Sequence, residues 1–255
     1  RALLGFGKVE CMRGNFVVAE QHLQESRSIF GGATLMKATA HSAEVLRYLG
    51  IVRYQLHDCE GALSLYEEAL SALETSHLAH SHTVVELLQN MSSVHQKLGS
   101  VGTAEQCLHR AWTLLGDAGL QKGVEAASVL RHLGALLATD GRLDEAISKY
   151  EQAMEVHRAA GTQRSTEAAR VCSFIGEALW RKRKLNEAER WFAEACGIYQ
   201  DKKLTANKDA TFANSCWSAL RVLRVFCQCD PAGSGKMRRA DLVRVLHQLV
   251  TDDPK

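Results

Sequence analysis

Alanine recurs in this chain at a fixed interval of 42 residues, in two parallel series. The first series is Ala62, Ala104, Ala146 and Ala188, and the second is Ala69, Ala111, Ala153 and Ala195. The residue between each pair is always large: Tyr66, Leu108, Tyr150 and Phe192. Residues three or four apart share one helix face, so each segment places small, large and small side chains together. Such a period is the sequence signature of a repeat protein.

A second helix is predicted before each of these segments. It carries an apolar residue followed by a small one, namely Leu49 and Gly50, Met91 and Ser92, Leu133 and Gly134, Ile175 and Gly176. One repeat therefore has helices over about 127–139 and about 143–158, interrupted by the turn residues Asp140 and Gly141. Gly14 and Gly99 mark the same turn, and Ala19 lies 43 residues before Ala62, which makes five repeats.

Small side chains at a helix crossing let two backbones approach to about 8 Å, and the large residue fills the space at the repeat boundary. A generic antiparallel bundle would use the same residue types, but it would not hold one register across four repeats. We therefore predict an all-α fold, an α-solenoid of about five helix-turn-helix repeats plus C-terminal helices. The predicted domains are a repeat domain over 1–200 and a C-terminal segment over 201–255.

The small–large–small pattern, with Gly after Leu in the first helix, resembles the tetratricopeptide repeat. The 42-residue spacing is similar to the variant in kinesin light chains and nephrocystin-like proteins. The stretch HSHTVVELLQNMSSVHQKLG, residues 80–99, lies where that variant has a His-Pro entry to the first helix. This chain departs from it, with His82, Val124 and Thr166 in place of the proline. The resemblance implies a right-handed superhelix whose first helices line a concave face.

The period ends after Gln200, and an amphipathic helix over 210–229 is expected to cap the last repeat. The stretch that follows, FCQCDPAGSGKMRRADLVRVLHQL, resembles an EF-hand, with a plain helix–turn–helix tail as the alternative. Its ligand set is poor because Ala232 cannot ligate and Asp241 replaces the longer Glu that normally closes the loop. Only Asp230 and Ser234 remain as good ligand positions, so we do not expect tight calcium binding.

Composition excludes several function classes. Lys and Arg total 31 against 29 Asp and Glu, so the chain has no overall field to attract nucleic acid or an anionic membrane. The basic run at 181–184 is explained by cations favoured at a helix C-terminus. The eight cysteines have no zinc-site spacing, which indicates small core residues in a reducing compartment. We expect a cytoplasmic protein and, from the resemblance to kinesin light chains, one associated with the cytoskeleton.

No set of residues stands out that could carry catalysis. His77, His80 and His82 cluster, but they are predicted to lie in a solvated loop without a further ligand at metal-site spacing. The GSGK stretch at 233–236 lacks the first glycine and the Ser or Thr of a phosphate loop. We therefore expect no enzyme activity, no cofactor and no metal. The chain starts at Arg1 within a predicted helix, so we take it as part of a longer polypeptide.

The repeat register also names the residues that would line the concave face. They fall in three rows, and the candidate partner-binding residues are Arg47, Gln89 and Arg131; Tyr48, Asn90, His132 and Phe174; Tyr54, Gln96 and Trp180. Ser173 and Ala138 complete the rows. These rows tilt basic and aromatic, which suits a protein or peptide segment with acidic and aromatic side chains.

The sequence thus predicts a non-enzymatic interaction scaffold or adaptor that binds a peptide or partner helix in this groove. One alternative is a calcium-responsive adaptor regulated through the EF-hand-like tail. Another is capture of a C-terminal carboxylate, as in co-chaperones, which would need a lysine–asparagine clamp across successive first helices. Ile51 and Ser128 occupy positions where that clamp would need other residues, which argues against it.

Overall fold

Each period of the sequence folds into two helices joined by a short turn. The computed structural model describes residues 2–31, 40–76, 78 and 81–229. The first helices of the five repeats are α1 (Ala2–Arg13), α3 (Ala40–Gln55), α5 (His82–Lys97), α7 (Val124–Thr139) and α9 (Thr166–Arg181). The second helices are α2 (Phe16–Gly31), α4 (Cys59–Thr75), α6 (Val101–Asp117), α8 (Leu143–Ala159) and α10 (Leu185–Asp201). A last helix, α11 (Lys208–Cys229), follows.

Those described residues include no β-strand, so the predicted all-α class is confirmed. The chain divides into two compact units, Arg1–Leu136 and Leu137–Lys255. The N-terminal unit holds α1 to α6 and most of α7, and the C-terminal unit holds the end of α7 and α8 to α11. The helix expected over 210–229 is α11, which begins at Lys208 and packs against α10.

The alanines of both series are completely buried, as close helix packing requires. In the N-terminal unit, Ala62, Tyr66 and Ala69 of α4 share one apolar core with residues of α3, α5, α6 and α7. The large residue of each second helix fits against the small residue of the first. A Cβ atom added at Gly50 would lie 2.3 Å from Cε1 of Tyr66.

The C-terminal unit repeats this arrangement with other aromatic rings. Tyr150 of α8 stacks on Phe174 of α9, with ring centroids 5.6 Å apart. Phe192 of α10 fills the space beside Gly176, where an added Cβ would lie 2.9 Å from the ring. Phe192 also packs edge-to-face with Phe212 on α11, with ring centroids 6.4 Å apart. Aromatic contacts thus join α8 to α9 and α10 to α11.

The turn within each repeat has a left-handed residue at one fixed position. Three of these residues are the predicted glycines, Gly14, Gly99 and Gly141, with φ between 76° and 84°. In the other two repeats the same position is His57, with φ 67°, and Arg183, with φ 63°. A left-handed backbone costs a residue with a Cβ atom about 1–2 kcal/mol, whereas glycine adopts it freely.

Arg183→Gly is therefore expected to raise the free energy of unfolding by about 0.5–1 kcal/mol, because relief of backbone strain exceeds the entropy that glycine loses on folding. Chemical denaturation monitored by circular dichroism measures the change. Lys184→Gly is the matched control, since Lys184 has φ −84° and gains nothing from glycine. A control that stabilises as much as Arg183→Gly would show that strain is not the cause.

Two predictions from the sequence lie wholly or partly outside the described residues. The EF-hand-like stretch beyond Cys229, including Asp230, Ala232, Ser234 and Asp241, is outside them. His77 and His80 are outside them as well. His82 is described, and its placement in a loop was wrong: it is the first residue of α5 and lies near two carboxylates.

Candidate protein-interaction surface

The predicted groove residues of the N-terminal unit lie on one side of three first helices: Arg47, Tyr48 and Tyr54 on α3, Gln89, Asn90 and Gln96 on α5, and Arg131 and His132 on α7. We call the surface formed by these residues and the adjoining part of α1 the first-helix face. Residues of the first row are more buried than their polar character suggests, with Arg47 7%, Gln89 8% and Arg131 9% exposed. Tyr48, Asn90 and His132 of the second row and Tyr54 and Gln96 of the third are half-buried. The accessible part of this face is thus formed by the second and third rows.

Arg47 is held in place by an ion pair and an aromatic ring. Its Nη2 atom lies 3.3 Å from Oε2 of Glu86 on α5, and its guanidinium lies 4.5 Å from the ring centroid of Tyr48. Two further contacts extend from Glu86, because His82 Nε2 is 3.7 Å from Glu86 Oε1 and His82 Nδ1 is 3.9 Å from Glu125 Oε1 on α7. Ionisable side chains thus connect three successive first helices.

Two cations lie near the Tyr48 ring. Lys8 of α1 forms an ion pair with Glu44 of α3, and its ammonium lies 5.0 Å from the Tyr48 ring centroid. Lys8 and Arg47 therefore both place a positive charge close to the Tyr48 ring. Cations over an aromatic ring contribute about 0.5–1 kcal/mol at exposed sites, which is enough to orient the side chains.

A second cation–aromatic pair lies near the C-terminal ends of α3 and α5. The Lys97 ammonium is 4.6 Å from the ring centroid of Tyr54 and 3.0 Å from Nδ1 of His57. Lys97 and His57 are both exposed. This group combines a solvent-accessible positive charge with an aromatic surface, and the left-handed turn at His57 positions it.

Asn90 and His132 complete the second row. His132 Nδ1 lies 2.8 Å from the carbonyl oxygen of Ser128, and its ring lies 3.4 Å from Nη2 of Arg131. The amide nitrogen of Asn90 is buried and has no hydrogen-bond acceptor within the described ranges. A buried donor without an acceptor is rare in native proteins.

In the C-terminal unit, Trp180 lines a cleft of about 550 Å³ between α9 and α11. The other lining residues are Glu177, Arg181, Arg183, Phe212 and Cys216. Arg181 also donates a hydrogen bond to the carbonyl oxygen of Ala138, at 2.6 Å. Phe174, by contrast, stacks on Tyr150, so one side of its ring is already occupied.

Arg183 and Phe212 were missed as site residues. Phe212 has the apolar helical spacing of a core residue, and the sequence has no signal that distinguishes a cleft wall from a core contact. Arg183 belongs to a basic run that is explained by the end of α9. Its position 42 residues after Gly141 is the signal that could have placed it at a turn beside the first helices.

The buried thiols of Cys172 and Cys196 are poor candidates for chemistry. Burial raises the pKa of the Cys172 thiol to about 12 and that of Cys196 to about 11. A protonated thiol is a weak nucleophile and a weak metal ligand. Over the described ranges, no group of three His, Cys, Asp or Glu side chains could hold a metal ion. In the same ranges, none of the helices has the length and apolar character needed to cross a membrane.

Known proteins similar to this chain have the same repeat architecture. A family model described as "Tetratricopeptide repeat" matches residues 1–75 and 125–201. The crystal structure of BtubC (BKLC) from P. vanneervenii is 17% identical and has a TM-score of 0.60, covering 88% of this chain and 93% of that one. A putative kinesin light chain from Podosopora anserina with nearly identical TPR-like repeats is 13% identical and has a TM-score of 0.62, covering 80% and 95%.

A chain of the APC/C hetero-tetramer Cut9-Hcn1 is 12% identical and has a TM-score of 0.63, covering 98% of this chain and 39% of that one. No curated protein sequence matches. At these identities the likenesses show the fold alone. They confirm the α-solenoid class and the kinesin-light-chain-like type of repeat.

Proposed function

Because the chain belongs to the tetratricopeptide-repeat family, we propose that it is a non-enzymatic adaptor that binds a segment of a partner protein on its first-helix face. The family's fold serves in general as a scaffold for protein–protein interactions. The Cut9-Hcn1 structure is a protein complex, which is in keeping with a protein partner. The partner segment is extended or helical and carries acidic and aromatic side chains.

The observation that carries this proposal is the pairing of cations with aromatic rings on neighbouring first helices. Lys97 over Tyr54 and Lys8 with Arg47 around Tyr48 are two such groups on one face of the N-terminal unit. A partner carboxylate would bind the exposed ammonium of Lys97, while an aromatic side chain would pack on the Tyr54 ring.

The other predicted groove residues have supporting roles in this proposal. Arg47 and Arg131 are largely buried, so they contribute to the shape and the positive electrostatic potential of the first-helix face. Gln89 and Gln96 lie on α5, and His132 lies beside Arg131 on α7. In the C-terminal unit, Trp180 offers an apolar surface within its cleft, and Phe174 lies on the same helix and stacks on Tyr150. Cytoplasmic location and association with the cytoskeleton stay predictions from the resemblance.

The test is selection of binders from a displayed library of random peptides, followed by affinity measurement with fluorescence anisotropy. We expect the selected peptides to be enriched in Asp or Glu next to an aromatic residue. Lys97→Glu should weaken their binding by about tenfold or more, because it replaces the attractive charge with a repulsive one.

Lys122→Glu is the matched control, since it makes the same charge change at an exposed lysine in the loop between α6 and α7. It should change affinity by no more than about twofold, because its charge is far from the site and screened by salt. Selected peptides without acidic residues would contradict the proposal. An equal effect of both variants would also contradict it, because net charge alone would then explain the binding.

A further inference from the structure

The helix α11 carries a small side chain where three earlier first helices carry a ring. It begins at Lys208, 42 residues after Thr166 at the start of α9, a spacing that matches the other first helices. The rings at the equivalent position of α3, α7 and α9 are Tyr48, His132 and Phe174. In α5 this position is Asn90, and in α11 it is Cys216.

The small side chain of Cys216 leaves room for a ligand beside α9. In α9 the equivalent ring of Phe174 stacks on Tyr150, with centroids 5.6 Å apart. Cys216 has no ring and instead lines the cleft of about 550 Å³ together with Trp180 and Phe212. Sites for small ligands in proteins usually have volumes of about 300–1,000 Å³. The cleft is therefore large enough for a molecule with one or two rings.

One part of the cleft is apolar and aromatic. Phe212 is 43% exposed and Trp180 is half-buried, so both rings remain partly accessible. Burial raises the pKa of the Cys216 thiol, and the nearby Glu177 carboxylate raises it further, so the thiol stays uncharged at neutral pH. Two accessible rings and a neutral thiol favour a flat apolar group of a ligand.

The other part of the cleft is positively charged. Arg181 and Arg183 both line it and are exposed, and neither forms an ion pair with a carboxylate within the described ranges. The two lysines of the same run differ, because Lys182 pairs with Asp144 and Lys184 pairs with Glu187. Arg181 donates one hydrogen bond to a backbone carbonyl, and a guanidinium has further N–H donors for a carboxylate.

We propose that this cleft binds a small aromatic carboxylic acid that carries an N–H donor on its ring. The ring packs on Trp180 and Phe212, and the carboxylate binds the guanidinium groups of Arg181 and Arg183. Glu177 lies one turn before Arg181 on α9, so it accepts a hydrogen bond from the ring N–H and repels a carboxylate bound in the reverse direction. The site belongs to the C-terminal unit, so it stands whether or not the N-terminal unit binds a peptide.

The test uses indole propionate as the probe and follows the indole N–H signals of the protein by ¹H–¹⁵N NMR. The chain has four tryptophans, and Trp180→Phe assigns the signal of the cleft. We expect this signal to shift with a Kd of about 1 mM or tighter, whereas the signal of Trp112 in the N-terminal unit stays in place. The neutral amide of the probe should bind about fivefold more weakly or worse, because it lacks the charge that the two arginines attract. Naphthalene propionate, which has no N–H, should also bind more weakly.

Two exposed positions of one turn give matched variants. Arg183→Gln should weaken binding of indole propionate by about fivefold or more, because it removes a cation that lines the cleft. Lys184→Gln removes a charge from the neighbouring residue outside the cleft and should change the Kd by no more than about twofold. Cys216→Phe restores the missing ring and should abolish binding, with Tm measured by calorimetry to show that this variant folds.

Several outcomes would overturn the proposal. One is a Trp180 signal that does not move at millimolar probe, and another is equal binding of the acid and its amide. Equal effects of Arg183→Gln and Lys184→Gln would show that net charge alone attracts the probe. Equal binding of naphthalene propionate would overturn the role of Glu177. If a peptide with acidic and aromatic residues moves the Trp180 signal and the free acid does not, the occupant is a protein segment and the proposal is wrong.

Discussion

Gly50→Ala is expected to lower the free energy of unfolding by about 2–3 kcal/mol. The new methyl carbon would lie 2.3 Å from Cε1 and 2.7 Å from Cδ1 of Tyr66, far inside van der Waals contact. The Tyr66 ring cannot move away, because it is 1% exposed and surrounded by the core of α3, α4 and α5. The helices must therefore separate, which loosens the packing on both sides of α4. Urea denaturation, monitored by the circular dichroism signal of the helices, measures the loss in free energy of unfolding.

Gly102→Ala is the control for the intrinsic effect of this substitution. Gly102 is exposed in the first turn of α6, and nothing lies within 4 Å of an added Cβ. Alanine is there expected to leave stability unchanged or to raise it by up to about 1 kcal/mol. If Gly50→Ala is as well tolerated as Gly102→Ala, the close approach of Gly50 and Tyr66 does not hold the hairpin together.

The helix packing of this protein could be predicted from the sequence because each repeat makes the same contacts. The spacing that brings Ala62, Tyr66 and Ala69 to one face recurs with the same period, so each repeat supports the assignment of the others. The small residue at Gly50 and the large one at Tyr66 are complementary, and this complementarity is visible without coordinates. Helix bounds followed from the same register, since the turn lies at Gly14, Gly99 and Gly141.

The burial of the groove side chains could not be predicted in the same way. The register shows that Arg47, Gln89 and Arg131 are equivalent, but not how far a neighbouring helix covers them. Their polar character suggested an open surface, whereas Arg47 is covered by Tyr48 and Glu86. The left-handed turns at His57 and Arg183 were missed because neither residue is the glycine that marks this position in the other repeats. The cleft at Trp180 depends on α11, where the period has ended.

Arg47→Glu is expected to lower the free energy of unfolding by about 2–4 kcal/mol, because it breaks a largely buried ion pair and leaves two carboxylates facing each other. The side chain of Arg47 is 9% exposed and that of Glu86 is 31% exposed, so water screens the repulsion only in part. The substitution also removes the cation from the Tyr48 ring. Thermal and urea denaturation measure the loss.

The exchange of both charges separates this ion pair from other effects of the substitution. Glu86→Arg in the Arg47→Glu chain should restore part of the stability, although His82 and the Tyr48 ring then face changed partners. Arg110→Glu is the matched control, because its ion pair with Glu74 is about half exposed on both sides and should contribute no more than about 1 kcal/mol. If Arg47→Glu costs no more than Arg110→Glu, Arg47 is free to pair with a ligand. If Arg47→Glu costs several times more stability than Arg110→Glu, the Arg47–Glu86 ion pair holds α3 to α5. Partner carboxylates must then bind the exposed Lys97 instead.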